Sequence, residues 1–380
     1  MSKRVFFYVQ HLLGIGHLRR AATLSRALAA AGFDVLVVSG GAPVPGLDLG
    51  AARFHQLPPL KAADASLRDL ARLDGTPLDD AFRALRTREL IGLMQAEGPD
   101  VIVTEQFPFG RTRLRFELLP LLETAKVLPR RPRVLASIRD VLRDTVSAAR
   151  IAETVEIFDS YFDGVLIHAD PRLVDLEMSF AAWSHIKDRA HYTGYVAEQA
   201  LAPAVAGDGK GEVVVSVGGG AVGGPLLHAA LAARPQTSLA DRTWRLLLGA
   251  NLDATERARL DGQSRKGVIV EPARTDFTTL LSNAALSISQ AGYNTVVETL
   301  ACAQRAVLVP FATERETEQK RRAENLARRG MVQMVEPGEL TDGALAAAVE
   351  RALAGPSLRS FPACNIDGGA ATAALLARMA

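Results

Sequence analysis

The 380-residue sequence is poor in several things, and each shortage excludes a class of protein. It has two cysteines, Cys302 and Cys364, too few for the disulfide framework of a small secreted domain. Both thiols read as buried small hydrophobes in an intracellular, cytoplasmic chain. Long hydrophobic runs are missing: no stretch approaches the roughly 18 apolar residues of a membrane span. The N-terminal run Val5–Val9 is too short for a signal-peptide core and leads straight into a glycine loop. Charge of one sign is missing too, since 44 Lys+Arg stand against 42 Asp+Glu. The balance holds locally, with 25 basic and 24 acidic residues before position 199 and 19 and 18 after it. No basic field exists to bind nucleic acid in bulk. Lysine is scarce, at 7 against 37 arginines, and aromatics are only 6%. Secreted, collagenous, disordered and integral-membrane proteins are excluded, while 48% apolar residues suffice for two sizeable cores.

What is present is an alternation. Short β-branched runs are followed by longer Ala/Leu/Arg stretches at helical spacing, the pattern of βαβ units around a parallel sheet. In the first half the strand candidates are Val5–Val9, Val35–Val38, Val101–Val103, Val134–Ile138 and Val165–Ile167. A helix from about Leu18 to Ala31 follows the first and closes at Gly32. In the second half they are Val213–Val217, Trp244–Leu248, Val268–Val270, Leu286–Ile288, Val307–Val309 and Val332–Val335. An Ala/Pro/Gly-rich segment, Ala200 to Gly211, reads as a linker. The expected architecture is therefore α/β: two Rossmann-like doubly wound domains, 1–199 and 200–380, facing across a cleft. Gly40 to Thr76 reads as a loop-rich excursion. A last helix from about Ala370 to Met379 could pack back on the first domain.

Open parallel sheets bind ligands beyond the carboxyl ends of their strands, so three loops carry the functional argument. The first, Gly14-Ile15-Gly16-His17, follows a strand and opens a helix. It lacks the third glycine of a dinucleotide fingerprint, and no acid ends the second strand. His17, at the first turn of that helix, faces the cleft. The second, Ser216 to Gly224, holds five glycines within seven residues, which suits a phosphate cradle of backbone N–H groups. It has no Gly-Lys-Ser/Thr ending, so it is not a nucleotide-hydrolysing P-loop. The third, Ser289-Gln290-Ala291-Gly292-Tyr293-Asn294-Thr295, leads into a helix starting near Asn294, with Asn294 and Thr295 as cap residues and Glu298 in about its first turn. Glu298 is either a carboxylate at a helix dipole or an acceptor for ribose hydroxyls.

At these loops the sequence resembles the GT-B glycosyltransferases of the MurG type, which move N-acetylglucosamine from UDP onto a lipid-linked acceptor. Gly14–His17 matches their first Gly-rich loop, Gly218–Gly223 the second, and Ser289, Gly292, Thr295 and Glu298 their Ser-x-x-Gly-x-x-Thr-x-x-Glu segment. The resemblance gives Glu298 the ribose, and it gives the donor sugar to Glu318-Gln319, where the family has Gln-Gln. Val270–Asp276 stands where that family reads uracil, which brings in Ala273 and Arg274. The implied donor site thus comprises Gly14, Gly16, Gly218, Gly219, Gly220, Ala273, Arg274, Ser289, Gln290, Gly292, Asn294, Thr295, Glu298, Glu318 and Gln319. The first loop, Gly14 to Arg20, equally resembles the UDP-sugar hydrolase of pseudaminic acid biosynthesis. The segment Glu105-Gln106-Phe107-Pro108-Phe109-Gly110-Arg111 matches neither; it resembles a set of predicted bacterial glycosyltransferases.

The resemblance implies a metal-independent transfer of an N-acetylhexosamine from a UDP-sugar co-substrate, with no cofactor, to an unidentified acceptor. That acceptor is lipid-linked, a natural product or a glycan. No Asp-x-Asp and no His/Cys cluster offers a metal site. Inversion needs a base within about 3 Å of the acceptor proton. His17 and Glu105 are the candidates, with Asp140 a third. The arginines at 111, 113 and 115 and at 130, 131 and 133 suit an acceptor phosphate or peripheral contact with the inner face of a membrane. Solvated surface is the simpler account. Two other readings stand beside transfer: a UDP-sugar hydrolase in which water replaces the acceptor, and a sugar-nucleotide-binding protein without turnover.

Overall fold

The computed structural model describes residues 2–12, 14–63, 69–142, 147–197, 207–218, 222–249, 252–312 and 317–379. In the first half the strands are β1 (Arg4–Val9), β2 (Asp34–Ser39), β3 (Arg53–Gln56), β4 (Leu60–Ala62), β5 (Leu70–Arg72), β6 (Val101–Glu105), β7 (Arg133–Ile138), β8 (Gly164–Ile167) and β9 (Ala190–Tyr192). Its helices are α1 (Gly16–Ala30), α2 (Asp80–Glu97), α3 (Arg115–Lys126), α4 (Ala148–Tyr161) and the single turn α5 (Trp183–Ile186). The second half holds β10 (Val213–Ser216), β11 (Trp244–Leu248), β12 (Val268–Pro272), β13 (Leu286–Ser289), β14 (Ala306–Leu308) and β15 (Gln333–Met334). Between and after them run α6 (Gly224–Ala233), α7 (Ala254–Asp261), α8 (Phe277–Asn283), α9 (Tyr293–Cys302), α10 (Glu318–Arg328), α11 (Asp342–Ala354) and α12 (Gly368–Met379).

Two parallel sheets result, ordered β3-β2-β1-β6-β7-β8-β9 and β12-β11-β10-β13-β14-β15. Each strand series starts in the middle, runs to one edge, then returns to fill the other, which is the doubly wound arrangement with a switch point. The switch points fall between β1 and β6 and between β10 and β13, where parallel pairing aligns Tyr8 with Thr104 and Ser216 with Ser289. Helices cover both faces, so β1, β6, β10 and β13 are buried almost end to end. That is why these strands read as continuous apolar runs without alternation.

Every strand expected from the apolar runs is present. The excursion from Gly40 to Thr76 is more ordered than its composition suggests: β3 extends the main sheet beside β2, and β4 and β5 form an antiparallel hairpin. The segment 198–206, with the expected boundary and the start of the linker, lies outside the described residues, as do Gly219 and Gly220. Cys302 is buried as expected, whereas Cys364 is only partly covered.

The halves are joined by packing as well as by chain. One apolar cluster runs from Leu142, Phe180 and Tyr195 into Tyr293, Leu300, Ala323 and Leu326. The last helix, α12, returns to the first half and buries Ala373 and Leu376 against Leu24 and Leu28 of α1. Glycine makes that return possible: a Cβ at Gly369 would sit 2.9 Å from the Ala27 methyl, and one at Gly368 only 2.6 Å from the Gly194 carbonyl oxygen.

Candidate active site

At the first switch point, β1 and β6 deliver their carboxyl ends side by side. α1 begins at Gly16 with no side-chain cap, which leaves His17 at its first turn, over the end of β6. His17 Nδ1 lies 2.7 Å from Glu105 Oε1. Glu105 is 1% exposed and surrounded: Arg20, one turn along α1 from His17, donates to the same Oε1, and the Ser137 hydroxyl donates to Oε2 at 2.7 Å. Behind Ser137, His168 at the end of β8 reaches its hydroxyl at 3.0 Å through Nε2. Its Nδ1 meets the Thr193 hydroxyl at 2.8 Å. One proton order satisfies the whole row: Thr193 O–H to His168, His168 Nε2–H to Ser137, and Ser137 O–H to Glu105, with the tautomers inferred from the partners.

Two forces act on the His17 imidazole. Burial holds it well below its ordinary value, and the charges of Arg139, Arg111, Arg20 and the neighbouring His11 add to that. The Glu105 carboxylate pulls the other way, but Arg20 shares the same oxygen and neutralises much of that charge. The imidazole is neutral, donates Nδ1–H to Glu105, and keeps the Nε2 lone pair for something else. His168 is also held neutral, by burial and then by Arg20.

His17 lines a cavity of about 580 Å³, together with Gly14, Gly16, Arg139 and the segment from Gln106 to Leu114. Among the described residues of the second half only Glu318 reaches it, and its carboxylate lies 3.3 Å from the Arg139 guanidinium. Of the residues expected in the site, Gly14, Gly16, His17 and Glu318 therefore meet at this cavity. Glu105 stands behind His17, enclosed, with both oxygens occupied. It cannot touch an acceptor, so its part is to orient His17. Asp140 is no base either: it is fully buried, with both oxygens 2.6 Å from Arg322 of α10, an ion pair between the halves. His168 and Asp170 are buried as well; Asp170 holds Arg172 and the Asn365 amide.

The other expected residues gather at the second switch point. Thr295 lies close to Gly218: a Cβ there would be 3.4 Å from its hydroxyl, and Gly218 has a left-handed φ of 62°. Gln290 is buried and donates to the Val222 carbonyl at 3.1 Å, bracing the glycine loop. Gln319 accepts from the Ala291 and Phe311 amides, 3.0 Å each, so its carbonyl braces the third loop. Ser289 is buried at the end of β13, and its hydroxyl has no hydrogen-bond partner. Arg274 grips Asp276 and Asp208, with nitrogen–oxygen distances of 2.7 Å, and the Ala273 amide donates to the Leu248 carbonyl at 3.0 Å, which leaves the carbonyl of the exposed Ala273 as the polar group there.

One local expectation needs correcting. α9 starts at Tyr293 behind Gly292, with no side-chain cap, so Asn294 and Thr295 sit inside its first turn. Glu298 then falls in the second turn, half-buried, beyond the reach of a cap, and the first turn has no acid. The first turn of α9 therefore starts beside Gly218, which its Thr295 hydroxyl approaches.

Arg139, Arg322 and the ring of Tyr293 were given no role in the sequence reading, and Arg20 entered only as the last residue of the first-loop motif. Arg20, Arg139 and Arg322 surround the Tyr293 ring, their guanidinium carbons 5.4, 5.9 and 5.8 Å from its centre. The Tyr293 hydroxyl donates to the His168 carbonyl at 2.8 Å and accepts from the Val196 amide at 3.1 Å. The first residue of the donor-side helix is thereby tied to the strand end that carries the His17 network. The sequence signals for Arg20 were the first-loop motif that ends on it and the helical spacing that puts it one turn from His17. Among the described residues no group of three or more His, Cys, Asp or Glu is placed to hold a metal ion, and no helix is long and apolar enough to cross a membrane.

Residues 214–364 match the family described as the glycosyltransferase family 28 C-terminal domain. A glycosyltransferase domain thus occupies the second half of the chain, within a fold shared with GT-B glycosyltransferases. The matched span runs from β10 past α11 and holds both loops of the second switch point. Among solved structures, the calicheamicin glycosyltransferase CalG4 superposes with a TM-score of 0.65 at 16% identity, covering 100% of this chain and 97% of its own. MurG of Acinetobacter baumannii gives 0.62 at 18% identity, with 100% of both chains covered. A Listeria monocytogenes protein assigned as a UDP-N-acetylglucosamine 2-epimerase gives 0.62 at 12% identity, over 100% of this chain and 96% of its own. At such identities the superpositions establish the fold alone. No curated protein matches the sequence.

Proposed function

We propose that this glycosyltransferase moves a sugar, an N-acetylhexosamine, from a UDP donor to an acceptor held in the cavity of its first half, in the cytoplasm and without a metal or cofactor. The observation that carries this reading is a neutral His17, oriented by the enclosed Glu105, on the wall of a cavity of about 580 Å³. The donor is assigned to the second switch point. There the backbone at Ala273 would meet the base, Glu298 the ribose, and the Gly218 loop and first-turn amides of α9 the diphosphate. Glu318 reaches the cavity from the donor side and would meet the sugar.

In the reaction, His17 Nε2 takes the proton of an acceptor hydroxyl as its oxygen bonds to the anomeric carbon. The bond from that carbon to the diphosphate oxygen breaks, and UDP leaves with the electron pair. The imidazolium is stabilised by Glu105, itself fixed by Arg20 and Ser137. The cavity supports transfer over hydrolysis, because water as nucleophile requires no such volume and no apolar wall. The test is to follow UDP and free sugar from UDP-N-acetylglucosamine with and without acceptors. Release that depends on an acceptor supports transfer, free sugar in buffer supports the hydrolase, and binding without release supports a binding protein.

A further inference from the structure

The segment Glu105–Arg111 matched neither family, yet its Gln106, Phe109, Gly110 and Arg111, with Thr112 and Arg113 after them, build much of the cavity wall. Its backbone is strained at both ends: Gln106 and Arg111 adopt left-handed φ values of 70° and 56°, unusual for residues other than glycine. The strain is held by local bonds. The Gly110 amide donates to the Gln106 carbonyl at 2.7 Å, and Arg111 Nε to the Gln10 carbonyl at 3.0 Å. The result turns Phe109 into the cavity, edge-on to Phe180 at 5.3 Å between ring centres. Leu12 and Met178, the latter 42% exposed, continue this apolar wall.

The same cavity is electropositive. Among the described residues four arginines line it, at 111, 113, 139 and 150, with two glutamates, Glu177 and Glu318. Arg139 and Glu318 pair with each other, and Arg111 is held by the Gln10 carbonyl, so Arg113 and Arg150 are the arginines at the mouth of the cavity. Arg150 stands at the start of α4 and donates to the Thr112 hydroxyl, and Arg113 is exposed beside it in sequence. Neither contributes to the core, and guanidinium groups suit planar or tetrahedral oxyanions.

We infer that the acceptor has an apolar or aromatic body carrying an anionic group, phosphate or carboxylate, with Phe109, Phe180 and Met178 contacting the body and Arg113 and Arg150 the anion. The inference rests on the proposed transfer reaction, since it identifies the cavity as the acceptor site. Two sources share this chemistry, a lipid phosphate and a small aromatic acid, and the probes separate them.

The experiment is calorimetry on the full chain with farnesyl phosphate, farnesol, phenyl phosphate and phenol. At least one anion should bind tenfold or more tightly than its neutral counterpart, weaken as salt rises, and lose tenfold in the Arg113→Glu/Arg150→Glu variant. Farnesyl phosphate alone binding would identify a lipid source, and phenyl phosphate binding a small aromatic one. Phe180→Ala should weaken either anion at least fivefold. Neutral probes binding as well as their anions, an unaffected double variant, or no binding by any probe would overturn the inference. UDP titrated into the double variant should match the unaltered chain, and Glu298→Ala should retain the anion. Failure of the donor assignment is thus read separately from failure of this one.

Discussion

Replacing Glu105 with Gln tests the roles assigned at the first switch point. The amide keeps the size and can accept from His17, but it removes the negative charge that meets the imidazolium during transfer. Opposite charges about 4 Å apart interact by about 4 kcal/mol at an effective dielectric of about 20. Arg20 shares the oxygen that faces His17, so part of that attraction is already spent, and a loss of about 2–4 kcal/mol is expected in the transition state. This corresponds to a fall in kcat of about 30- to 1,000-fold. His17→Ala, which removes the base itself, should cost about 10²- to 10⁴-fold. Both are read as UDP released from UDP-N-acetylglucosamine, with an acceptor or with water, beside calorimetry for UDP. Melting temperature must be followed too, because Glu105→Gln leaves Arg20 buried without its carboxylate. A Glu105→Gln protein within twofold of normal kcat, or one whose UDP affinity falls as far as its rate, would refute the reasoning.

Four further predictions concern the donor, the pH dependence of rate and of stability, and the joint between the halves. Glu298→Ala should weaken UDP by about 10- to 150-fold, the range for a hydrogen-bonded charged group, and unchanged affinity by calorimetry would take Glu298 off the ribose. His17 works neutral and its value is depressed, so kcat/KM should stay level down to about pH 6.5 and fall only below it. An acid limb centred above that value would contradict the assignment. His17 and His168 also link stability to pH: with folded values below the unfolded ones, their contribution is full above about pH 6.5 and is lost as pH falls toward the folded values. The loss reaches about 1.4 kcal/mol per unit for each, checked by urea unfolding at pH 7.5 and 5.5. Asp140→Asn strands the buried Arg322 and should destabilise the chain by about 3–5 kcal/mol, largely recovered by Asp140→Leu with Arg322→Met. An unchanged melting temperature in the single variant would remove that pair from the joint.

The sheets were legible because their central strands are buried on both faces and therefore read as unbroken apolar runs. β3 and β9 were not, since Arg53–Gln56 and Ala190–Tyr192 lie at sheet edges and alternate too little to stand out. The hairpin of β4 and β5 is three residues on each side, shorter than any pattern can register. The loops were legible from their glycines. The chemistry among them was not, because Glu105, Ser137, His168 and Thr193 come from four neighbouring strand ends and meet only once the sheet is ordered. Buried arginines were hidden for another reason: in a sequence with 37 of them, Arg20, Arg139 and Arg322 look like the surface pairs that Arg131 and Arg133 make with Asp163. The start of α9 was placed one residue late because Asn and Thr are good caps, and Gly292 took the cap position instead.

The central claim is sugar transfer from a nucleotide donor to an acceptor in the His17 cavity. It is tested most directly by incubating the full chain with UDP-N-acetylglucosamine and a panel of hydroxyl-bearing anionic amphiphiles, and weighing the products by mass spectrometry. The account predicts UDP release that depends on one of them, which gains the mass of one sugar residue, and loss of that product in His17→Ala. Free sugar released at the same rate in buffer alone, or a product undiminished by His17→Ala, would contradict it.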